Sequence, residues 1–208
     1  MPITEENIAV DLSNYSSPMD LQNLFPRPGP LQIEIGSGKG TFLLNQARLH
    51  PDINYLGIEW ANKYHLYSVN RMFRWQVSNV RLLRCDAGYF IARYIPAGKI
   101  SVFHIYFPDP WPKTRHHKRR FFTLNNILQV IRCLEAGGQL RLITDHADYF
   151  EIIQQLLLSH PQIASHFVPI DFFPADAADA GEWVGTNFER KYLKEGRDFY
   201  KLALLKRP

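Results

Sequence analysis

A glycine run, a set of acids and a proline-bound loop are the residues of this sequence whose types and spacing could do chemistry. Residues 104–120 read HIYFPDPWPKTRHHKRR, an apolar run that stops at Asp109 between Pro108 and Pro110, with Trp111 and Pro112 following. Proline fixes φ and lacks an amide donor, so three prolines at alternate positions forbid helix and ladder pairing. The loop they make is stiff and holds a carboxylate and an indole in fixed relation at low entropic cost. Behind it Lys113, Arg115, Lys118, Arg119 and Arg120, with His116 and His117, form a cationic run without an acid. Upstream, Gly36, Gly38 and Gly40 alternate with Ser37 and Lys39, and Glu34 stands two residues before the first glycine.

The glycine run is the mark of a tight turn that brings backbone close to a ligand, and three ligands can be weighed. A nicotinamide dinucleotide would suit G-x-G with Glu59 about 20 residues on. Its fingerprint, however, needs a third glycine where this chain has Thr41, and Glu34 would repel a pyrophosphate. A P-loop fails because Lys39 is followed by Gly40 instead of Ser or Thr, and its upstream glycine position is Ile33. S-adenosylmethionine carries an ammonium and a sulfonium and no phosphate, so acids at the rim suit it. Glu59 would accept from its ribose hydroxyls and Asp86 from its adenine amino group. For each acid the plainer alternative is a helix cap or a surface loop residue.

Positioning these groups calls for alternating strands and helices. Leu31–Ile35 reads as a short buried strand, 36–40 as a turn and Thr41–Leu49 as a helix. Tyr55–Ile58, Val80–Cys85, Ile100–Phe107 and Gln139–Thr144 are further strands. Directly or one residue after them come Glu59, Asp86, Asp109 and Asp145. In an open, doubly wound α/β sheet, ligands bind outside the carboxyl ends of the strands, so these acids should meet on one rim. Helices are expected over 61–76, over Leu124–Leu134 with Gly137 and Gly138 as its cap, and over Asp148–Ser159. Phe167–Phe173 and Phe199–Leu205 are expected as two last strands, which lack a long crossover helix and so should pair antiparallel. Pro174–Gly185 reads as a loop, and Thr186–Gly196 as a turn and short helix. Residues 1–30 read as an irregular lead-in, leaving 31–208 as one domain.

Composition sets the outer bounds. The 208 residues are 46% hydrophobic, enough for a sizeable core. Cys85 and Cys133 have no ligand spacing around them, which gives no support to a zinc site or a disulfide framework. The first 26 residues carry four acids and no Lys or Arg, unlike a signal peptide, and no stretch could span a bilayer, so a cytoplasmic protein is expected. The net charge is +4, but it is segregated. Residues 142–189 hold no Lys or Arg, whereas 190–208 hold seven against two acids. Such segregation suggests one face for a polyanion.

IEIGSGKGTF, GIEW, DAGYF, FPDPWPKTRHHKRR, TDHADYF and TNFERKYLKEG, in this order, resemble the bacterial tRNA (guanine-N7)-methyltransferase family over roughly residues 31–205. The resemblance implies a Rossmann-like, mostly parallel α/β sheet with an antiparallel C-terminal strand, S-adenosylmethionine as cofactor, and tRNA as partner with a variable-loop guanine as target. It implies that Glu34, Glu59, Asp86 and Asp109 contact the cofactor beside Gly36, Gly38 and Gly40, and that Asp109 is the catalytic position. It also implies that Lys113, Asp145 and Thr186, Asn187, Phe188 and Glu189 contact the tRNA guanine region. Members often carry a basic N-terminal arm; this chain has an acidic lead-in instead.

That chemistry is consistent with the residues. Guanine N7 has a lone pair and no hydrogen, so attack on a sulfonium methyl needs positioning and no base or metal. Asp109 could accept from the Watson–Crick edge and offset charge growing on the imidazole ring. Trp111 could stack on a base or brace its loop. Lys113, Arg115, Lys118, Arg119 and Arg120 are the first candidates for tRNA phosphates, with Arg190, Lys191 and Lys194 as a second patch. Two rivals remain open at this point: methylation of an exocyclic amino group, and a noncatalytic RNA-binding module on the same fold.

Overall fold

The computed structural model describes residues 3–208 and is built on one eight-stranded sheet. Its strands are β1 (Ala9–Val10), β2 (Leu31–Ile35), β3 (Asn54–Ile58), β4 (Val80–Leu83), β5 (Ile100–Tyr106), β6 (Leu134–Thr144), β7 (Phe167–Ile170) and β8 (Tyr200–Lys206). They lie in the order 1-4-3-2-5-6-8-7. The first six pair in parallel, and β8 runs antiparallel to both β6 and β7. The chain winds from β2 outward through β3 to β4, then returns to β5 on the other side of β2, so the switch point falls between β2 and β5.

The helices are α1 (Glu5–Ile8), α2 (Thr41–Leu49), α3 (Asn62–Arg74), α4 (Ala87–Tyr94), α5 (Leu124–Cys133), α6 (Ala147–Gln154) and α7 (Asn187–Lys194). Two cores result, one on each face of the sheet. Ile33, Phe103 and Leu142 pack with Phe90, Ile127 and Tyr149 from α4, α5 and α6. Tyr55, Leu82 and Ile143 pack with Phe42, Leu43 and Met72 from α2 and α3. The period of two along a strand therefore sends Leu31, Ile33 and Ile35 to the first face and Gln32 and Glu34 to the second. Opposite Glu34 in register is His104, so the second face is polar where β2 meets β5.

Four expectations are corrected. The lead-in is regular in part: Thr4 caps α1, Ile8 is fully buried beside α3, and β1 adds a parallel edge to β4. These elements are four and two residues long, shorter than any window in which periodicity can be read. The α5 cap is not at Gly137 and Gly138; the chain enters β6 at Leu134, and the irregularity falls in the β5–β6 register between Ile100 and Val102. The helix expected over Asp148–Ser159 is α6 followed by a π-turn at Gln155–Ser159. Strand β7 stops at Ile170, and Pro169 is tolerated because this strand lies at the sheet edge. Helix α4, which had no expected counterpart, starts on Asp86, whose side chain accepts from the Tyr89 amide at 2.8 Å.

Candidate active site

The turn after β2 is where sequence dictates geometry most directly. Gly36, Gly38 and Gly40 all have left-handed backbone, with φ of 77°, 54° and 66°, a region that costs L side chains and leaves glycine unstrained. At Gly40 space is also limiting, since a Cβ would collide with Ser68 and come within 2.9 Å of Met72 Cε on α3. The turn is pinned from beneath by the Ile58 carbonyl, which accepts from the Gly36 and Ser37 amides at 2.8 and 3.1 Å.

Beside this turn lies a cavity of about 210 Å³, lined by Glu34, Lys39, Tyr64, Tyr106, Phe107 and Phe188 among others. Glu34 forms its acidic floor. It is 4% exposed, and its Oε2 is buried with no hydrogen-bond partner. Burial, helped by the neighbouring Glu59 carboxylate, holds the Glu34 carboxyl well above the ordinary carboxylate range. Glu59 is differently placed. Its Oε2 accepts from the Gly38 amide at 2.8 Å and its Oε1 from the Ala61 amide at 2.7 Å, so it ties the glycine turn to the start of α3. Asp86, exposed, caps α4.

At the end of β5 the chain turns sharply at Phe107, whose φ is 51° and whose amide donates to the Ile143 carbonyl at 2.7 Å. Asp109 follows two residues later. It is exposed and, among the described residues, held by no hydrogen bond or ion pair. Trp111, at φ 42°, turns inward: His116 meets its ring edge-on at 5.7 Å and the Arg119 guanidinium lies over it at 4.8 Å. Between stacking and bracing, the structure gives it the brace. Arg120 braces too. Its Nε donates to the Pro110 carbonyl at 2.8 Å and its guanidinium sits 4.8 Å from the Tyr149 ring, leaving it half-buried beneath the loop. Lys113, Arg115, Lys118 and Arg119 are exposed.

Helix α7 closes the cavity from above, and Phe188 lies 3.8 Å from where a Cβ on Gly38 would be. The four residues 186–189 divide by role. Thr186 caps α7 by accepting from the Glu189 amide at 3.0 Å, and Glu189 is fully buried with its carboxylate accepting from the Trp183, Val184 and Gly185 amides. Asn187 and Phe188 are exposed at the cavity lip. Of the second cationic patch, Arg190 is consumed within the chain, Lys191 lies 3.7 Å from Glu195, and Lys194 is exposed with no ion pair among the described residues. Arg190 pairs with Glu182 at 2.6 Å and with Asp179 at 3.0 Å, and Arg197 pairs with Asp145 at 2.5 Å.

Tyr106, to which the sequence reading assigned nothing, lines the cavity. Its hydroxyl meets His104 Nδ1 at 2.6 Å, and His104 Nε2 meets Gln32 Oε1 at 2.7 Å, so a buried polar chain runs under the floor. Burial raises the Tyr106 hydroxyl above its ordinary range and holds the His104 ring neutral. The signal was available in principle, since Tyr106 shares the face of His104 and Glu34 by strand alternation.

Similarity to known proteins agrees with this geometry. A family model described as "Putative methyltransferase" matches residues 28–202. A tRNA (guanine-N(7)-)-methyltransferase of Rhodopirellula baltica is 36% identical over 218 aligned positions, covering 99% of this chain and 79% of the relative. One of Alkalilimnicola ehrlichii is 37% identical over 190 positions, covering 91% of this chain and 78% of the relative. Among solved structures, a SAM dependent methyltransferase from Aquifex aeolicus superposes with a TM-score of 0.56 at 10% identity, covering 85% of this chain and 82% of the other. An rRNA methylase from Streptococcus thermophilus gives 0.55 at 13% identity, covering 86% and 88%. These structures share the fold; the family follows from the sequence relatives, which span nearly the whole chain. The chain belongs to the tRNA (guanine-N7)-methyltransferase family.

Proposed function

We propose that this protein transfers a methyl group from S-adenosylmethionine to N7 of a guanine in tRNA, with a variable-loop guanine as the target. The observation that carries the reading is Glu34 Oε2, a buried and unpartnered carboxyl oxygen at the floor of a cavity formed beside the switch point. A buried acid with an unused acceptor favours a cationic ligand, and an ammonium would satisfy it. Glu59, already oriented by two backbone amides, keeps lone pairs free for ribose hydroxyls. Phosphate ligands fit poorly against two carboxylates.

When bound, the cofactor supplies an electrophilic methyl group on a sulfonium. The chain's own residues do the positioning. Asp109, unpaired on a loop stiffened by prolines and braced by Arg120 beneath it, is free to accept from the Watson–Crick edge of an unstacked guanine. It also offsets the positive charge that develops on the imidazole as the N7 lone pair is used. No residue needs to remove a proton from N7. Phe188 and Asn187 at the lip, and Tyr64 across from them, provide the walls against which a flat base can rest. Lys113, Arg115, Lys118 and Arg119, exposed beside Asp109, take the flanking phosphates.

Incubation with methyl-labelled cofactor and bulk tRNA, followed by digestion and chromatography of nucleosides, tests the reading. The expected product is 7-methylguanosine, and tRNA whose target guanosine is replaced by 7-deazaguanosine should bind and accept no methyl. Label in an exocyclic N-methyl nucleoside, or tRNA binding without cofactor binding, would replace this function with a different one.

A further inference from the structure

Helix α3 is built the wrong way round for an ordinary surface helix. Its buried positions are His65, Ser68, Val69 and Met72, while Tyr64, Leu66, Tyr67 and Phe73 face solvent. Trp60 and Trp75 flank it, 70% and 53% exposed. Among the described residues, six of the fourteen exposed large hydrophobic side chains thus fall within residues 60–75, a concentration that marks an interaction surface. Residues 60–85 contain no acid and include Lys63, Arg71, Arg74, Arg81 and Arg84.

The rings and cations are interleaved. Lys39 Nζ and the Arg71 guanidinium both lie 5.7 Å from the Tyr67 ring, and the Arg48 guanidinium lies 4.4 Å from the Trp75 ring. Tyr64, Tyr67, Arg71 and Arg74 are spaced at i, i+3, i+7 and i+10, so they share one helix face. That face begins at the cavity, which Lys39 and Tyr64 line, and the helical rise carries it about 16 Å away to Trp75. Lone aromatic patches suit protein partners. Aromatic rings alternating with cations suit a polyanion whose bases offer flat faces. Lys39 and Arg48 make no ion pair among the described residues, and Arg71, half-buried, already donates to the Lys39 carbonyl and Thr41 Oγ1.

We infer that this ribbon, Tyr64, Lys39, Tyr67, Arg71, Trp75 and Arg48, is a docking surface for single-stranded or unstacked RNA next to the target nucleotide, with bases on the rings and phosphates on the cations. It is distinct from the cationic run behind Asp109, whose neighbouring indole, Trp111, is half-buried between His116 and Arg119, whereas Trp75 is 53% exposed. The inference rests on the reading of the protein as a tRNA methyltransferase and adds where the RNA lies. The neighbours of an extruded guanine cannot stay stacked on it, so a surface that restacks them lowers the cost of exposing N7.

Trp75 and Arg48 do not line the cavity, so they can be changed without touching it. In Trp75→Ala combined with Arg48→Ala, the Kd for tRNA should rise about ten- to a hundredfold, the loss expected for one stacked base and one phosphate. The Kd for S-adenosylmethionine should be unchanged. Trp75→Phe should keep most of the affinity, and Arg48→Glu should lose more than Arg48→Ala. Unchanged tRNA affinity in a folded double variant overturns the inference. So does a change in sedimentation without a change in tRNA affinity, which would make the ribbon a contact between copies of the chain. Wild-type protein that yields no 7-methylguanosine would remove the methylation reading alone, because the binding measurement is independent of it.

Discussion

Residues 113–120 and 190–197 look alike in sequence, with five and four cations, but the fold treats them oppositely. In the first segment no cation makes an ion pair among the described residues, and Arg120 spends its donors on loop carbonyls. In the second, Arg190 is held by Glu182 and Asp179, Lys191 is near Glu195, and Arg197 is clamped between Asp145 and Glu195. The acid-only stretch 142–189 and the cation-rich tail after it are therefore partners. For Arg190 and Arg197 charge segregation along the chain became charge neutralisation in space, whereas Lys194, like the cations of the first segment, makes no ion pair among the described residues. The second fixes α7 as the roof of the cavity.

The contrast is sharpest for two aspartates. Asp109→Ala, beside the open segment, should slow single-turnover methylation about 10²- to 10³-fold with little change in melting, the scale of losing one preorganised charge partner of the transition state. Asp145→Ala, which removes the partner of Arg197 in the paired segment, should instead act through α7. Arg197→Ala should then reproduce its effects, and the double variant should be no worse than either single one. Additive losses would give Asp145 a separate contact with the substrate.

Two buried glutamates repeat the contrast, Glu34 in the cavity floor and Glu189 in the first turn of α7. Glu189, with three backbone amides donating to it, should be structural, and Glu189→Gln should lower unfolding free energy by about 2 kcal/mol, because an amide has one acceptor where a carboxylate has two. An unchanged denaturation midpoint would refute its role as the clamp of the 183–186 turn.

Glu34 has no such donors and its pKa is raised, which fixes the sign of its pH effect. Its contribution to stability is fully present below the unfolded value of about 4.3 and is lost as pH rises through the folded value, where a buried charge must form. A cationic cofactor reverses the preference by stabilising the carboxylate. Cofactor affinity should therefore climb with pH through the folded Glu34 pKa, by at most about tenfold per unit, and then level off. Glu34→Gln should abolish the slope. Calorimetry in buffers of different ionisation enthalpy should register a proton released on binding.

The cavity floor was legible because its signals are local: alternating glycines and an acid two residues upstream. The strand-end acids Glu59, Asp86, Asp109 and Asp145 are not among the residues that line it. The partners of those acids were not legible. Glu59 is held by Gly38, 21 residues away, and Arg197 reaches Asp145 across 52, separations that only the sheet order brings together. The same limit hid the use of Arg120, which a count of cations could not tell from Arg119. Helix α4 begins with an Asp cap and apolar Phe90 and Ile91, but Gly88 weakens its propensity. That glycine is required by close packing, since a Cβ there would lie 2.6 Å from Asn126 Oδ1 on α5.

The smallest effect bears most directly on the two cationic segments. Arg119→Ala should reduce the slope of log affinity for tRNA against log salt by about one counterion, a difference of about three- to fourfold between 50 and 200 mM salt. Arg190→Ala should leave the slope where it was, because its charge is already opposed by Glu182 and Asp179 and releases no counterion when RNA arrives. Arg120→Ala should weaken methylation at every salt concentration without changing the slope, as befits a residue that acts by holding Pro110 and the ring of Tyr149. If Arg190→Ala lowers the slope as much as Arg119→Ala does, its ion pairs must open on binding, and Arg190 would join the phosphate contacts.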